Sequence, residues 1–77
     1  MKTADQLVRE RLQLLCQAKG CTLTKLAKIS GLSHASITGF ISGRYNNIGI
    51  LTLQKVCNGL GISLYEFFNA ELFKIKE

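Results

Sequence analysis

The residues Thr22-Leu-Thr-Lys-Leu-Ala-Lys-Ile-Ser-Gly31-Leu-Ser-His-Ala-Ser-Ile-Thr-Gly-Phe-Ile-Ser-Gly43 decide the fold. Thr22 stands where an N-cap belongs, its hydroxyl able to accept an otherwise unpaired backbone N–H of the first turn. The third position after it is Lys25, so there is no reciprocal carboxylate. The helix that follows, Leu23 to about Ser30, turns Leu23, Leu26 and Ala27 inward. Gly31 breaks it by supplying the positive φ of a sharp reversal, and Leu32 plugs the angle. Ser33 caps a second helix from His34 to about Ser42, with Ile37, Phe40 and Ile41 inward. Its other face shows His34, Ala35, Ser36, Thr38 and Gly39, small or hydrogen-bonding and without charge. Gly39 inside a helix costs ~1 kcal/mol relative to Ala, which suggests that something must come close to the backbone on that face.

On the amino-terminal side, residues 4 to 18 read as an amphipathic helix, with Leu7, Val8, Leu12, Leu15 and Cys16 on one stripe and Leu14 off it. Asp5 suits the positive end of its dipole, and Lys19 and Gly20 suit its close. Beyond Gly43, Arg44-Tyr45-Asn46-Asn47 is a polar loop. Residues 50 to 58 form another helix with Ile50, Leu53, Val56 and Cys57 inward, ended by Asn58-Gly59. Leu60 and Ile62 pack as the chain turns at Gly61. Ser63 and Glu66 form a capping box, and Leu64, Phe67 and Phe68 give the last helix its buried face. The tail from 69 to 77 keeps Leu72, Phe73 and Ile75, with little core left to take them.

The 77 residues contain no proline, and no segment has a strand's alternation. The expected architecture is all-α: a single domain, 1–77, of five helices, with its core in 4–68. A chain of this size buries only about 60–65% of its unfolded surface, and the 47% apolar content is enough for it to fold alone. No apolar run approaches the ~20 residues of a membrane span, and no signal peptide is evident, so an intracellular, cytoplasmic protein is expected. Cys16, Cys21 and Cys57 lack paired metal-ligand spacing and read as reduced, core-filling residues; no metal, cofactor or redox role follows from them. No nucleophile–base pair, carboxylate pair or phosphate-cradling loop points to catalysis. The net charge of +5 is uneven, because every acidic residue lies in the end segments. Arg11, Lys19, Lys25, Lys28, Arg44 and Lys55 leave the middle positive, a field that attracts a polyanion.

The order Thr-x-x-x-Leu-Ala at 22–27, Ser-Gly-Leu-Ser at 30–33, Ile37, Phe40, Gly43, Leu53, Val56, Leu60-Gly-Ile-Ser-Leu and Phe67 resembles the lambda repressor-like, Cro/repressor-type (XRE) helix-turn-helix family. The resemblance runs from Leu7 to Phe68. It implies a five-helix, DNA-binding transcriptional regulator, a repressor of prokaryotic or phage type and nucleoid-associated, acting as a homodimer on a palindromic double-stranded operator, with the third helix in the major groove. By position, base reading then falls to His34, Ala35, Ser36, Thr38 and Gly39. Contact with the DNA backbone falls to Thr22, Thr24, Lys25, Ser33, Ser42, Arg44, Tyr45, Asn46 and Asn47, and the dimer contact to Leu72, Phe73 and Ile75. Two departures stand out. Many members have Gln where this chain has Leu23, and many tie the first helix to the third with an Arg–Glu pair where this chain has Cys16 and Ile41. The alternative reading is a protein-interaction module on the same fold, such as an antitoxin-like or co-regulator subunit.

Overall fold

Helices this short are marginal in water unless their ends and one face are satisfied by neighbours, and the fold solves both problems. The computed structural model describes residues 2–45 and 47–74. Among them are five helices: α1 Ala4–Lys19, α2 Leu23–Ser30, α3 His34–Ile41, α4 Ile50–Leu60 and α5 Leu64–Phe68. A 3-10 turn at Glu71–Phe73 follows. The N-caps fall as the hydroxyl residues predict. Thr22 accepts from Lys25 N–H, Ser33 from Ser36 N–H, and Ser63 from Glu66 N–H with Glu66 answering to the Ser63 N–H. At the start of α1, Gln6 Oε1 accepts from Thr3 N–H at 2.9 Å, a partnership the sequence reading missed.

The first four helices close through one arrangement. A glycine of positive φ (Gly20, Gly31, Gly43, Gly61) turns the chain so that the next residue's N–H returns to a carbonyl five positions back. These bonds run from Cys21 to Cys16 at 2.8 Å, Leu32 to Ala27 at 3.0 Å, Arg44 to Gly39 at 2.8 Å and Ile62 to Cys57 at 3.0 Å. The last turn's carbonyls, otherwise orphaned, are thereby used. α5 has no such glycine. Its Phe67 and Glu66 carbonyls accept instead from Arg11, at 2.7 and 2.9 Å. Arg11 is therefore half-buried structural material and not part of the free positive field that the sequence suggests.

Each helix contributes to one apolar cluster: Leu12 and Cys16 from α1, Leu26 and Ala27 from α2, Ile37 and Phe40 from α3, Leu53, Val56, Cys57 and Leu60 from α4, and Phe67 from α5. Several expectations are corrected. Ile50 is 62% exposed, because the inward stripe of α4 begins a turn later at Leu53. Phe68 is 40% exposed. α4 also runs through Asn58-Gly59 to Leu60. Gly59 is needed inside the helix, since a Cβ there would stand 2.9 Å from the Ile29 carbonyl oxygen and from Ser30 Oγ. It lets α4 lie directly on α2, its most extensive neighbour. The tail is not left over: Phe73 packs on the core, its ring 6.1 Å from Phe67 and 5.0 Å from Phe68. Ile75 lies outside the described residues.

Gly59→Ala should cost about 1–3 kcal/mol by overpacking, although Ala is the better helix former by ~1 kcal/mol. On the other side of the same contact, Ser30 Oγ is buried with no hydrogen-bond partner among the described residues. Ser30→Ala should therefore lose no stability and gain up to about 1 kcal/mol. Urea midpoints of the two variants check both signs.

Candidate nucleic-acid interface

The amino-terminal turn of α3 is shaped by serine chemistry. Ser33 Oγ accepts from Ser36 N–H at 3.1 Å, and the two hydroxyls lie 2.8 Å apart. This closes the cap and leaves His34, Ala35 and Ser36 exposed on the outer surface. Thr38, one turn on, is half-buried, and its Oγ1 donates back to the His34 carbonyl at 2.9 Å. Its proton is thus committed to the helix, and what it can offer a ligand is a lone pair and a methyl group.

Gly39 departs from the expectation. It is buried, and a Cβ placed on it would stand 2.7 Å from Cδ2 and 3.1 Å from Cζ of Tyr45. The close approach that a glycine permits here is made by the chain's own tyrosine. The Tyr45 ring folds back along α3, so position 39 is not open as a base-reading position. The smooth face is the first turn, residues 34 to 36, with Thr38 at its edge.

The residues expected to meet a DNA backbone lie at the start of α2, at the Ser33 cap and in the segment after α3. Thr24 and Lys25 are exposed at the start of α2, where the Thr22 hydroxyl is already occupied by the Lys25 N–H at 3.1 Å. Past α3, Ser42 Oγ donates to the Gly39 carbonyl at 3.2 Å, Arg44 is exposed, and Asn47 Oδ1 accepts from Gly49 N–H at 2.9 Å. Asn46 lies outside the described residues. Lys19, Lys25, Lys28, Arg44 and Lys55 are all exposed, so the positive field survives the loss of Arg11.

Arg9 holds this region in place, and the sequence reading overlooked it. Its Nε donates to the Phe40 carbonyl at 2.7 Å, and one terminal nitrogen reaches the Tyr45 carbonyl at 3.4 Å and Asp5 at 3.5 Å. Its guanidinium carbon lies 4.9 Å from the centre of the Phe40 ring. Asp5 is correspondingly held below the usual carboxylate range, first by the Thr3 hydroxyl and further by Arg9. Cys16 and Ile41 do sit in and against the core, but the polar tie between α1 and α3 has moved to Arg9. The signal was an arginine on the boundary of an apolar stripe; its carbonyl partners, 31 and 36 residues away, could not be read from spacing.

Three substitutions test this geometry. Arg9→Met should lower stability by about 1–3 kcal/mol, the cost of losing a charge-assisted bond and leaving a part-buried carbonyl short of a donor. Arg9→Lys should recover little, because a single ammonium lacks the planar fork. Gly39→Ala should displace the Tyr45 ring at little cost to stability, because an exposed side chain can move. Chemical denaturation reads the first pair, and the Tyr45 ring-proton shifts read the second.

A profile of the family described as helix-turn-helix matches residues 12–67, well over half of the chain. Comparison with curated proteins returns no match. Among solved structures, the chain is similar to the crystal structure of prophage Lp1 protein 11, with 32% identity and a TM-score of 0.84 over 99% of this chain and 100% of that one. The capped α2–Gly31–α3 unit, the five-helix order and these matches lead to one conclusion: the chain belongs to the XRE-type, lambda repressor-like helix-turn-helix family of DNA-binding transcription regulators.

Proposed function

We propose that this protein is a sequence-specific repressor that binds a two-fold symmetric duplex operator as a homodimer, with the amino-terminal turn of α3 in the major groove. The observation that carries the reading is the exposed, uncharged tip His34-Ala35-Ser36, fixed by the Ser33 cap, on a chain whose Thr24, Lys25 and Arg44 are exposed as well. His34 can donate to a guanine N7 or O6, Ser36 can donate or accept, and Ala35 can pack on a thymine methyl. Thr38 contributes its methyl group. None of these is a bidentate Arg or Gln, so phosphate contacts and duplex shape carry much of the binding energy. Gly39 is left out of the reading set, since Tyr45 covers it.

The dimer contact expected at Leu72, Phe73 and Ile75 is revised. Phe73 is spent on the chain's own aromatic cluster. The apolar surface that remains near the tail is the outer face of α5, where Tyr65 is 75% and Phe68 40% exposed, with half-buried Leu72 close in sequence. A second copy is the occupant proposed for that face, because a two-fold operator requires a two-fold reader.

Binding to a duplex should weaken steeply with salt, with a log–log slope near −0.9 for each phosphate neutralised. Failure to bind any duplex at low salt would favour the interaction-module reading instead. His34→Ala should cost about 1–3 kcal/mol on the cognate site alone, whereas Arg44→Ala should weaken binding to all duplexes. Arg44→Ala altering sequence preference while His34→Ala has no effect would reverse the two assignments.

A further inference from the structure

In the closing motif shared by the first four helices, the residue after the glycine folds back onto the residue five positions earlier, and their side chains commonly touch. At the ends of α2, α3 and α4 these pairs are Ala27 with Leu32, Gly39 with Arg44, and Cys57 with Ile62. At the end of α1 both members are cysteine. An apolar plug would need no second sulfur, as the α2 and α4 ends illustrate.

The backbone brings Cys16 and Cys21 within bonding range. With the Cys21 N–H 2.8 Å from the Cys16 carbonyl oxygen, standard bond lengths hold the two Cα atoms within about 6.7 Å. A disulfide spans Cα separations of about 4.4–6.8 Å. Cys16 is buried in the core, and Cys21 lies half-buried at its edge, its thiol donating to the Thr22 carbonyl at 3.5 Å. The Cys16 thiol is pushed up to about 11, by burial first and then by the neighbouring Cys21. Cys21, the less buried of the two, is the one a reagent can reach.

We propose that Cys16 and Cys21 form a thiol–disulfide modification site at the junction of α1 and α2, oxidised reversibly by a small disulfide of the glutathione type. The Cys21 thiolate, its proton lost to solvent, attacks one sulfur of the small disulfide and displaces the other half as a thiolate. Cys16 then gives up its proton, and its sulfur attacks Cys21 Sγ, displacing the second small thiolate. Two cysteine thiols are oxidised by two electrons, and one small disulfide is reduced to two thiols. The new bond would brace the chain one residue ahead of the Thr22 cap, at the entrance to the DNA-binding unit. Cys57, fully buried in α4, takes no part.

The full chain, folded and in the absence of denaturant, is incubated with oxidised glutathione and mapped by peptide mass spectrometry with and without dithiothreitol. The expected product has lost two hydrogens and contains a Cys16–Cys21 cross-link that dithiothreitol reverses. The Cys16→Ser variant should instead keep glutathione on Cys21, and Cys21→Ser should leave Cys16 unmodified. A wild-type product that keeps glutathione on Cys21, that links either residue to Cys57, or that remains fully reduced would overturn the proposal. The outcome is independent of whether the protein reads DNA as a dimer.

Discussion

An eight-residue helix has too few internal hydrogen bonds to hold its own shape, so the placement of α3 is imposed from outside, by packing on α2 and by a polar tie from α1. Ile37 and Phe40 anchor its inner face in the core, while Arg9 grips its last turn through the Phe40 carbonyl and, through Tyr45, the loop that follows. One guanidinium thereby ties α1 both to the last turn of α3 and to the start of the connection to α4. A bidentate, stacked arginine suits this task because its planar fork gives direction as well as charge. Two residues along the same helix, Arg11 does the same for α5. α1 is thus a strap whose two arginines are spent on distant backbone carbonyls, and the charge left for a polyanion comes from the exposed lysines and Arg44.

Much of this could be read in the sequence because the signals are local. The hydroxyl caps at Thr22, Ser33 and Ser63 and the closing glycines act within a few residues of themselves, so their neighbours suffice to place them. The misreadings share the opposite character. Gly59 looks like a helix end beside Asn58, yet the reason for it is the Ile29 carbonyl on another helix. Gly39 looks like room for a ligand, yet the room is filled by Tyr45. Ile50 continues the inward spacing of α4, but the core stops a turn short of it. Periodicity gives the phase of a stripe and not how far the neighbouring elements extend over it.

These corrections narrow the surface proposed to read DNA. With Gly39 covered and the Thr38 hydroxyl turned back onto its helix, the proposed reading surface reduces to His34, Ala35 and Ser36 with the Thr38 methyl group at its edge. Such a tip is short and uncharged, and its position relative to the duplex must come from the groups beside it, as is general where phosphate contacts orient and base contacts specify. On the proposed reading, the support supplied by Arg9 and the Ser33 cap would be part of recognition, because a short reader tolerates little displacement.

The central claim is that this tip reads a two-fold operator, and enrichment of bound duplexes from a random pool tests it most directly. The account predicts an inverted repeat whose half-sites lie about one helical turn apart. A pool that binds without sequence enrichment, or that yields a single site with no two-fold relation, would contradict it.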